Sequence, residues 1–589
     1  MNEEFLKEFL NPEQIKAVLF DDNAVVMACP GGGKTRTLVY KIAYQLSKGD
    51  GSKSIIAITY TNNAADEIKK RILEMGVSVE KLWIGTIHSF CIKWILKPYS
   101  GVCDEIKFGY RIIDPHHSES LKAEVCQKHK IKIYDVDFGW CETGLREFKP
   151  NHIAVVEEYY NHLREQGYID FDYIIYLSFK ILRSNSFIAN NLSNIFKLIL
   201  IDEYQDTQIL QYELLFDILK SNGESFKLFF VGDPNQAIFN SMGGVALDFN
   251  SFSNKSGIQF TLLELKDNYR SSQKVVDYFS FFKTINGAPF EASGDLREYE
   301  SKITLNDSCS VDGLDGYIQA LIETMLSEGI QSTEICIIAP WWFHLSDLTR
   351  RLMAIMPEVS FNGPGVTPIS SNRESLWYKF ARLALTRPSP QNYRSRVYYA
   401  NEVFSQLSEC GLKVNDEPSE IKVFLKYCNS LKVNEVDGIK YLDFFFTEVI
   451  KFFDFDILQI EEFSESREAF FASAEKRKKK LNDDGLGLLT STEHYKKMFD
   501  KKTGVTVTTI HSVKGLEFDC VIAFGLLQGI VPRFGEDEAQ SKRLLYVLSS
   551  RARKHLHLIS EINRNTRTGQ YKITNVLKSI KYVYSGLEP

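Results

Sequence analysis

One stretch of the chain has residue types and spacing suited to gripping phosphate: "ACPGGGKTRT" at 28–37. Gly31, Gly32 and Gly33 let the backbone approach a ligand closely and turn its N–H groups toward phosphate oxygens. Lys34 is placed to bridge the terminal phosphates of a nucleotide, and Thr35 to hold Mg²⁺. Arg36, next in the sequence, joins the nucleotide-binding candidates. Ala28 stands where the phosphate-loop pattern has its first glycine. The apolar run "AVVMA" before the loop reads as a buried strand, and "KTRTLVYKIAYQL" after it has helical spacing. Those flanks distinguish a phosphate loop from an ordinary glycine-rich turn.

A nucleotide site also needs acids, and "FKLILIDEYQDTQ" supplies them at the end of an apolar run. Asp202 can ligate Mg²⁺ through water, and Glu203 can take a proton from the attacking water. An acidic pair in that place also suits a helix cap; the phosphate loop upstream favours the catalytic reading. "LFFVGDPNQAIF" is a second apolar run ending in polar residues, with Gln236 positioned to sense a terminal phosphate. The recurring order of apolar strand, polar turn and helix predicts an α/β fold. Its parallel sheet would carry helices on both faces and bind ligands at the carboxyl ends of the strands. ATP and Mg²⁺ are the expected cofactors.

The elements that position these residues belong to a chain of 589 residues, too long for one core and so expected to form several domains. The opening residues "MNEEFLKEFL" are acidic and mixed, unlike a targeting peptide, and no apolar run reaches membrane-spanning length. A cytoplasmic protein without a membrane partner is expected. The ten cysteines form no CxxC pairs, which argues against a zinc site or a disulfide framework. A formal net charge of -6 gives no overall attraction to nucleic acid, so any such binding must use local basic and aromatic surfaces.

Taken in order, these segments resemble the UvrD/Rep/PcrA group of superfamily 1 helicases. "LNPEQIKAV" looks like the family's Q motif, with Gln14 as adenine reader. "AITYTNNAADEIKKRI" (57–72) is similar to motif Ia, and "IGTIHSF" (84–90) to motif Ib. "YIDFDYII" (168–175) matches the segment before the acidic strand, "LIDEYQDTQ" the DExx motif and "VGDPNQAIF" motif III. "LKDNYRSS" (265–272) looks like motif IV, "VTVTTIHSVKGLEFDCVIAFGL" (505–526) like motif V, and "RLLYVLSSRA" (543–552) like motif VI. The resemblance implies two RecA-like P-loop cores with nucleotide between them, each core carrying a mainly helical insertion. In that arrangement Tyr269 stacks on adenine, Glu517 holds the ribose, and Arg270 and Arg551 reach the terminal phosphate.

The expected layout is a first core over 1–91 and 196–264, interrupted by a helical insertion at 92–195. The second core follows over 265–385 and 500–589, with a compact helical insertion at 386–499. The basic run "EKRKKKLNDDG" (475–485) in that insertion reads as a solvated helix face.

For single-stranded DNA the resemblance nominates Tyr60 and Phe239 as stacking rings. It nominates Thr61, Asn62, Thr86, His88 and His511 for backbone contact. One departure stands out: "IFNSMGG" puts Ser241 and Met242 where the family has tryptophan and arginine. The resemblance therefore implies an ATP-driven motor on single-stranded or partly duplex DNA, moving 3′→5′. The alternative is a DNA-sensing ATPase that activates a partner nuclease with little unwinding of its own. Compact UvrD-like subunits of anti-phage systems, such as the helicase-like subunit of Gabija, have that build.

Overall fold

The structure is a computed structural model. It describes residues 3–49, 53–146, 152–222, 226–239, 243–285, 287–363, 369, 372, 375–390, 392–415, 417–432, 434–483, 487–497, 504–565 and 569–586. The chain forms two compact units, one from residues 1–112, 123–314 and 510–589, the other from 113–122 and 315–509.

The first unit is built around a six-stranded sheet: β1 (Ala24–Ala28), β2 (Ser54–Thr59), β3 (Leu82–Thr86), β4 (Phe196–Asp202), β5 (Lys227–Gly232) and β6 (Thr261–Leu265), in the order β6-β1-β5-β4-β2-β3. Every pairing is parallel; Ala24, for example, sits beside Thr261 on one side and Phe229 on the other. Strands buried on both faces read as continuous apolar runs, which is why "AVVMA" and "LILI" are not alternating. From β1 the chain goes on to β2 on one side, while from β5 it crosses to β6 on the other. Loops diverging in this way open a crevice at the strands' carboxyl ends. Helix α1 (Pro12–Leu19) starts on an Asn11–Gln14 capping box, and α2 (Lys34–Ser47) follows β1 directly. Val26, Ala28, Leu38, Ile42, Leu200 and Phe229 are among the buried residues that join sheet to helices. The same unit contains the parallel strands Ile303–Asn306, Ala552–Ile559 and Phe518–Ala523.

In the second unit Ile335–Ala339, Val505–Thr509 and Phe361–Asn362 pair in parallel. Helices Leu376–Leu385, Tyr393–Glu409, Pro418–Ser430, Gly438–Val449 and Glu461–Asp483 share an aromatic core around Trp377, Phe380, Phe424 and Phe446. Along the basic run Lys478 pairs with Asp437, while Lys476, Arg477 and Lys479 are exposed. Parallel sheets flanked by helices give the expected α/β class, with strands for two RecA-like cores. No helix among the described residues is long and apolar enough to cross a membrane.

Trp377 is fully buried, and its indole N–H donates to the Phe463 carbonyl at 2.8 Å. Trp377→Ala removes that packing and one of the donors to the carbonyl, leaving it Ser466 Oγ at 3.2 Å. Destabilisation of about 3–5 kcal/mol is expected, checked as an earlier transition in a denaturant melt followed by helical circular dichroism.

Candidate nucleotide site and nucleic-acid surface

All six strands of the first sheet end at candidate residues. Ala28 closes β1, Tyr60 and Thr61 follow β2, Thr86 closes β3, Asp202 closes β4, Gln236 lies just beyond β5, and Tyr269 and Arg270 lie just beyond β6.

In the glycine loop Gly31 and Gly33 have φ of 70° and 78°, left-handed values that side chains rarely adopt. Space gives a second reason for glycine. A Cβ on Gly33 would lie 2.5 Å from Gln14 Nε2, and one on Gly31 would lie 2.6 Å from Arg270 Cβ. Gln14 is buried and donates to the Gly32 carbonyl at 3.2 Å, so the predicted adenine reader also braces the loop. Asn268, which the sequence did not single out, clamps it from the other side. Its Nδ2 donates to the Pro30 carbonyl at 2.6 Å, while its Oδ1 accepts from the N–H groups of Arg270 and Ser271 at 2.9 and 2.7 Å. Tyr269 is 41% exposed, leaving a ring face open for stacking. Its hydroxyl accepts from Asn11 Nδ2 at 2.8 Å, tying it to the start of α1. Lys34 and Thr35 occupy the first turn of α2, and Arg36 beside them is exposed.

After β4 the chain turns through Glu203 with φ of 53°, one of three non-glycine residues in the left-handed region among those described. Such a conformation costs on the order of 1–3 kcal/mol and concentrates at functional sites. Burial and the adjacent Glu203 carboxylate push Asp202 above the ordinary carboxylate range. Burial would raise Glu203 too, but the Lys34 and Lys514 ammoniums and the Gln205 amide outweigh it and hold Glu203 low. Lys514 was missed in the sequence. Its Nζ donates to Asp206 Oδ2 at 2.6 Å and to the Gln236 carbonyl at 3.1 Å, and lies 4.0 Å from Glu203 Oε2. The signals for it, a third acid in "DEYQD" and a lysine in "HSVKG", carry no meaning until the two segments meet.

Gln236 is a junction. Its Nε2 donates to Asp233 Oδ2 at 2.8 Å, and its Oε1 accepts from Arg551 Nη2 at 2.9 Å. Tyr546 OH donates to the same Asp233 oxygen at 3.1 Å. Arg551 is buried, and that burial, with the neighbouring Arg270 charge, lowers its pKa to about 9. Arg270 donates from Nε to Glu517 Oε2 at 2.6 Å and from Nη1 to the Ser550 carbonyl at 3.0 Å. Glu517, expected at a ribose, thus pairs with Arg270 and stands 3.6 Å from Arg553. The Thr35 hydroxyl and Asp202 carboxylate are hard oxygen donors of the kind Mg²⁺ takes, so this donor set suits that ion.

The nominated DNA residues fall into two groups. Tyr60 stacks on Phe239 with centroids 5.3 Å apart and planes at 27°, and His511 lies 5.7 Å from Phe239. Thr61 and Thr86 cap helices Asn62–Glu74 and Ile87–Cys91 with their hydroxyls, which accept from Ala64 and Ser89 N–H groups at 3.3 Å. Asn62 opens the first of these helices. His88 packs edge-on against Phe171, and burial lowers its pKa to about 4, so it is neutral at pH 7 and offers hydrogen bonds rather than charge. Ser241 and Met242 lie outside the described residues.

The model of the UvrD/REP helicase N-terminal domain matches residues 10–256, and that of the UvrD-like helicase C-terminal domain matches residues 428–563. A probable DNA helicase II homolog of Mycoplasma capricolum is 25% identical over 95% of this chain and 85% of its own length. The ATP-dependent DNA helicase SRS2 of Saccharomyces cerevisiae is 32% identical over 49% of this chain and 28% of its own length. PcrA of Staphylococcus aureus, also an ATP-dependent DNA helicase, is 29% identical over 46% of this chain and 39% of its own.

Two substitutions separate binding from chemistry at this site. Lys34→Ala is expected to lose nucleotide affinity, whereas Glu203→Gln keeps nucleotide bound and loses turnover by orders of magnitude. Titration with a fluorescent nucleotide and a phosphate-release assay distinguish the two, and near-normal release in either variant rejects the assignment.

Proposed function

We propose a motor function on a plain premise: the chain belongs to the UvrD/Rep family of superfamily 1 helicases. It hydrolyses ATP under stimulation by single-stranded DNA and uses that cycle to move 3′→5′ and separate strands. The observation that carries the reading is the reach of Arg551 to Gln236 across 315 residues of sequence. An arginine beside the phosphate-sensing glutamine fits a transition state whose charge spreads over the γ-phosphoryl oxygens.

Each residue then has a role. The loop N–H groups and Lys34 hold the phosphates, and Gln14 and Tyr269 hold adenine. Thr35 and Asp202 hold Mg²⁺, which supplies Lewis-acid charge at the phosphate oxygens. Glu203 orients the attacking water and accepts its proton, and its low pKa suits a site crowded with cations. Gln236, Arg270 and Arg551 stabilise the charge that develops; with an arginine worth roughly 10³–10⁵ in rate, Arg551→Ala should act on kcat far more than on ATP affinity. Tyr60 and Phe239 offer the ring faces that bases need, at about 1–3 kcal/mol per stack.

The test uses the purified chain with ATP and duplexes bearing a 3′ or a 5′ single-stranded tail. Stimulated hydrolysis and separation of the 3′-tailed duplex are expected. Stimulation without separation of either duplex favours the DNA-sensing switch with a partner nuclease. Hydrolysis indifferent to DNA rejects both readings.

A further inference from the structure

Lys514 touches both halves of the machinery. Its ammonium is held by Asp206 and the Gln236 carbonyl, stands 4.0 Å from Glu203, and lies 5.5 Å from the centre of the Phe239 ring. Phe239 is one of the two rings that the proposed function assigns to DNA, and it stands three residues beyond Gln236 on the same short segment. The Tyr60 and Phe239 rings are 5.3 Å apart, centre to centre. A base slotted between two rings needs two van der Waals gaps, about 7 Å in all. Admitting one therefore displaces a ring, and Tyr60 leads into helix Asn62–Glu74 whereas Phe239 leads back to Gln236 and Lys514.

We propose that Lys514 is a positioning residue that transmits base stacking at the Tyr60–Phe239 pair to Glu203. While the rings lie against each other, Lys514 is drawn three ways, by a ring face, a carboxylate and a carbonyl, and its charge faces Glu203. Moving Phe239 removes the ring contact and shifts the Gln236 carbonyl, so the ammonium resettles between Asp206 and Glu203. Asp206 is suited to such a change: its Oδ2 takes the lysine, while its Oδ1 is buried with no hydrogen-bond partner among the described residues. A carboxylate left half-satisfied gains from any rearrangement that brings a donor to the second oxygen. The same displacement reaches Arg551 through the Gln236 side chain, so the general base and the arginine are adjusted together.

This rests on the motor reading above, and its test keeps the two apart. ATP hydrolysis is measured with and without oligothymidylate for the native chain, Lys514→Met, Lys514→Arg, and Lys514→Met combined with Asp206→Asn. The double variant avoids burying an unpaired carboxylate and guards against misfolding. Both methionine variants should lose the ratio of stimulated to basal rate by about tenfold, the scale of an ordinary coupling free energy. KM for ATP should stay near the native value, and Lys514→Arg should restore part of the ratio. A native ratio in either methionine variant overturns the proposal. So does an equal fall in basal and stimulated rates without rescue by arginine, which marks a structural role. A native chain indifferent to oligothymidylate instead removes the motor reading on which the proposal stands.

Discussion

Three carboxylates within five residues, Asp202, Glu203 and Asp206, are folded into the end of one strand, and the site depends on neutralising them. Removing a carboxylate from water costs several kcal/mol unless a cation and hydrogen bonds replace the solvent. Lys34 supplies one charge from the first turn of the next helix along the sheet. Lys514 supplies another from more than 300 residues downstream. The acidic turn is thus neutralised in part by a segment far along the chain, and a local motif depends on the path of the whole unit. The arrangement also makes the site responsive, because a change in the position of either cation changes the environment of the base.

The backbone is strained at one point, where Glu203 is held at φ of 53°. The glycine loop takes its two left-handed positions without strain, with Gln14 and Asn268 bracing it from opposite sides. Those braces come from α1 and from the turn after β6, so residues nominated for reading the nucleotide also shape the phosphate cradle. Asn11 shows the same economy: it caps α1, bonds Asp267 and holds the Tyr269 hydroxyl. The glycine loop and the residues nominated for adenine are therefore parts of one hydrogen-bonded structure.

What was legible in the sequence follows from the range of the interactions involved. The apolar runs became β1, β4 and β5, and "KTRTLVYKIAYQL" became the helix Lys34–Ser47 because helical periodicity is a local property. The placement of Lys34, Asp202 and Gln236 at or just beyond strand ends was readable because each sits at a fixed offset from its strand. The roles of Asn268, Lys514 and Tyr546 were not. Each residue lies inside a stretch that the resemblance singled out, beside Tyr269 and Arg270, between His511 and Glu517, or before Arg551, but its own role comes from contacts hundreds of residues away. Glu517, expected at a ribose, also pairs with Arg270 and stands near Arg553, contacts that its motif alone does not announce. Thr61 and Thr86, nominated for backbone contact, also cap helices by accepting from Ala64 and Ser89 N–H groups, a role that hydroxyls at the starts of helices commonly take.

The sizes of the forces involved explain how a weakly held strand could command a step as demanding as phosphoryl transfer. Stacking one base yields about 1–3 kcal/mol, small against what an inserted arginine can contribute to phosphoryl transfer but equal to a typical coupling free energy between two sites. A ligand moves an equilibrium only by its preference for one state over the other. One stack is therefore enough to shift the site between two arrangements, provided that they lie within a few kcal/mol of each other. The buried cluster meets that condition better than a rigid apolar core would. Its hydrogen bonds join Asp206, Gln236 and Asp233 through the donors Lys514, Arg551 and Gln236, with Glu203 4.0 Å from Lys514. A polar junction of this kind costs stability in the fold, and the Phe239 ring lies against its lysine.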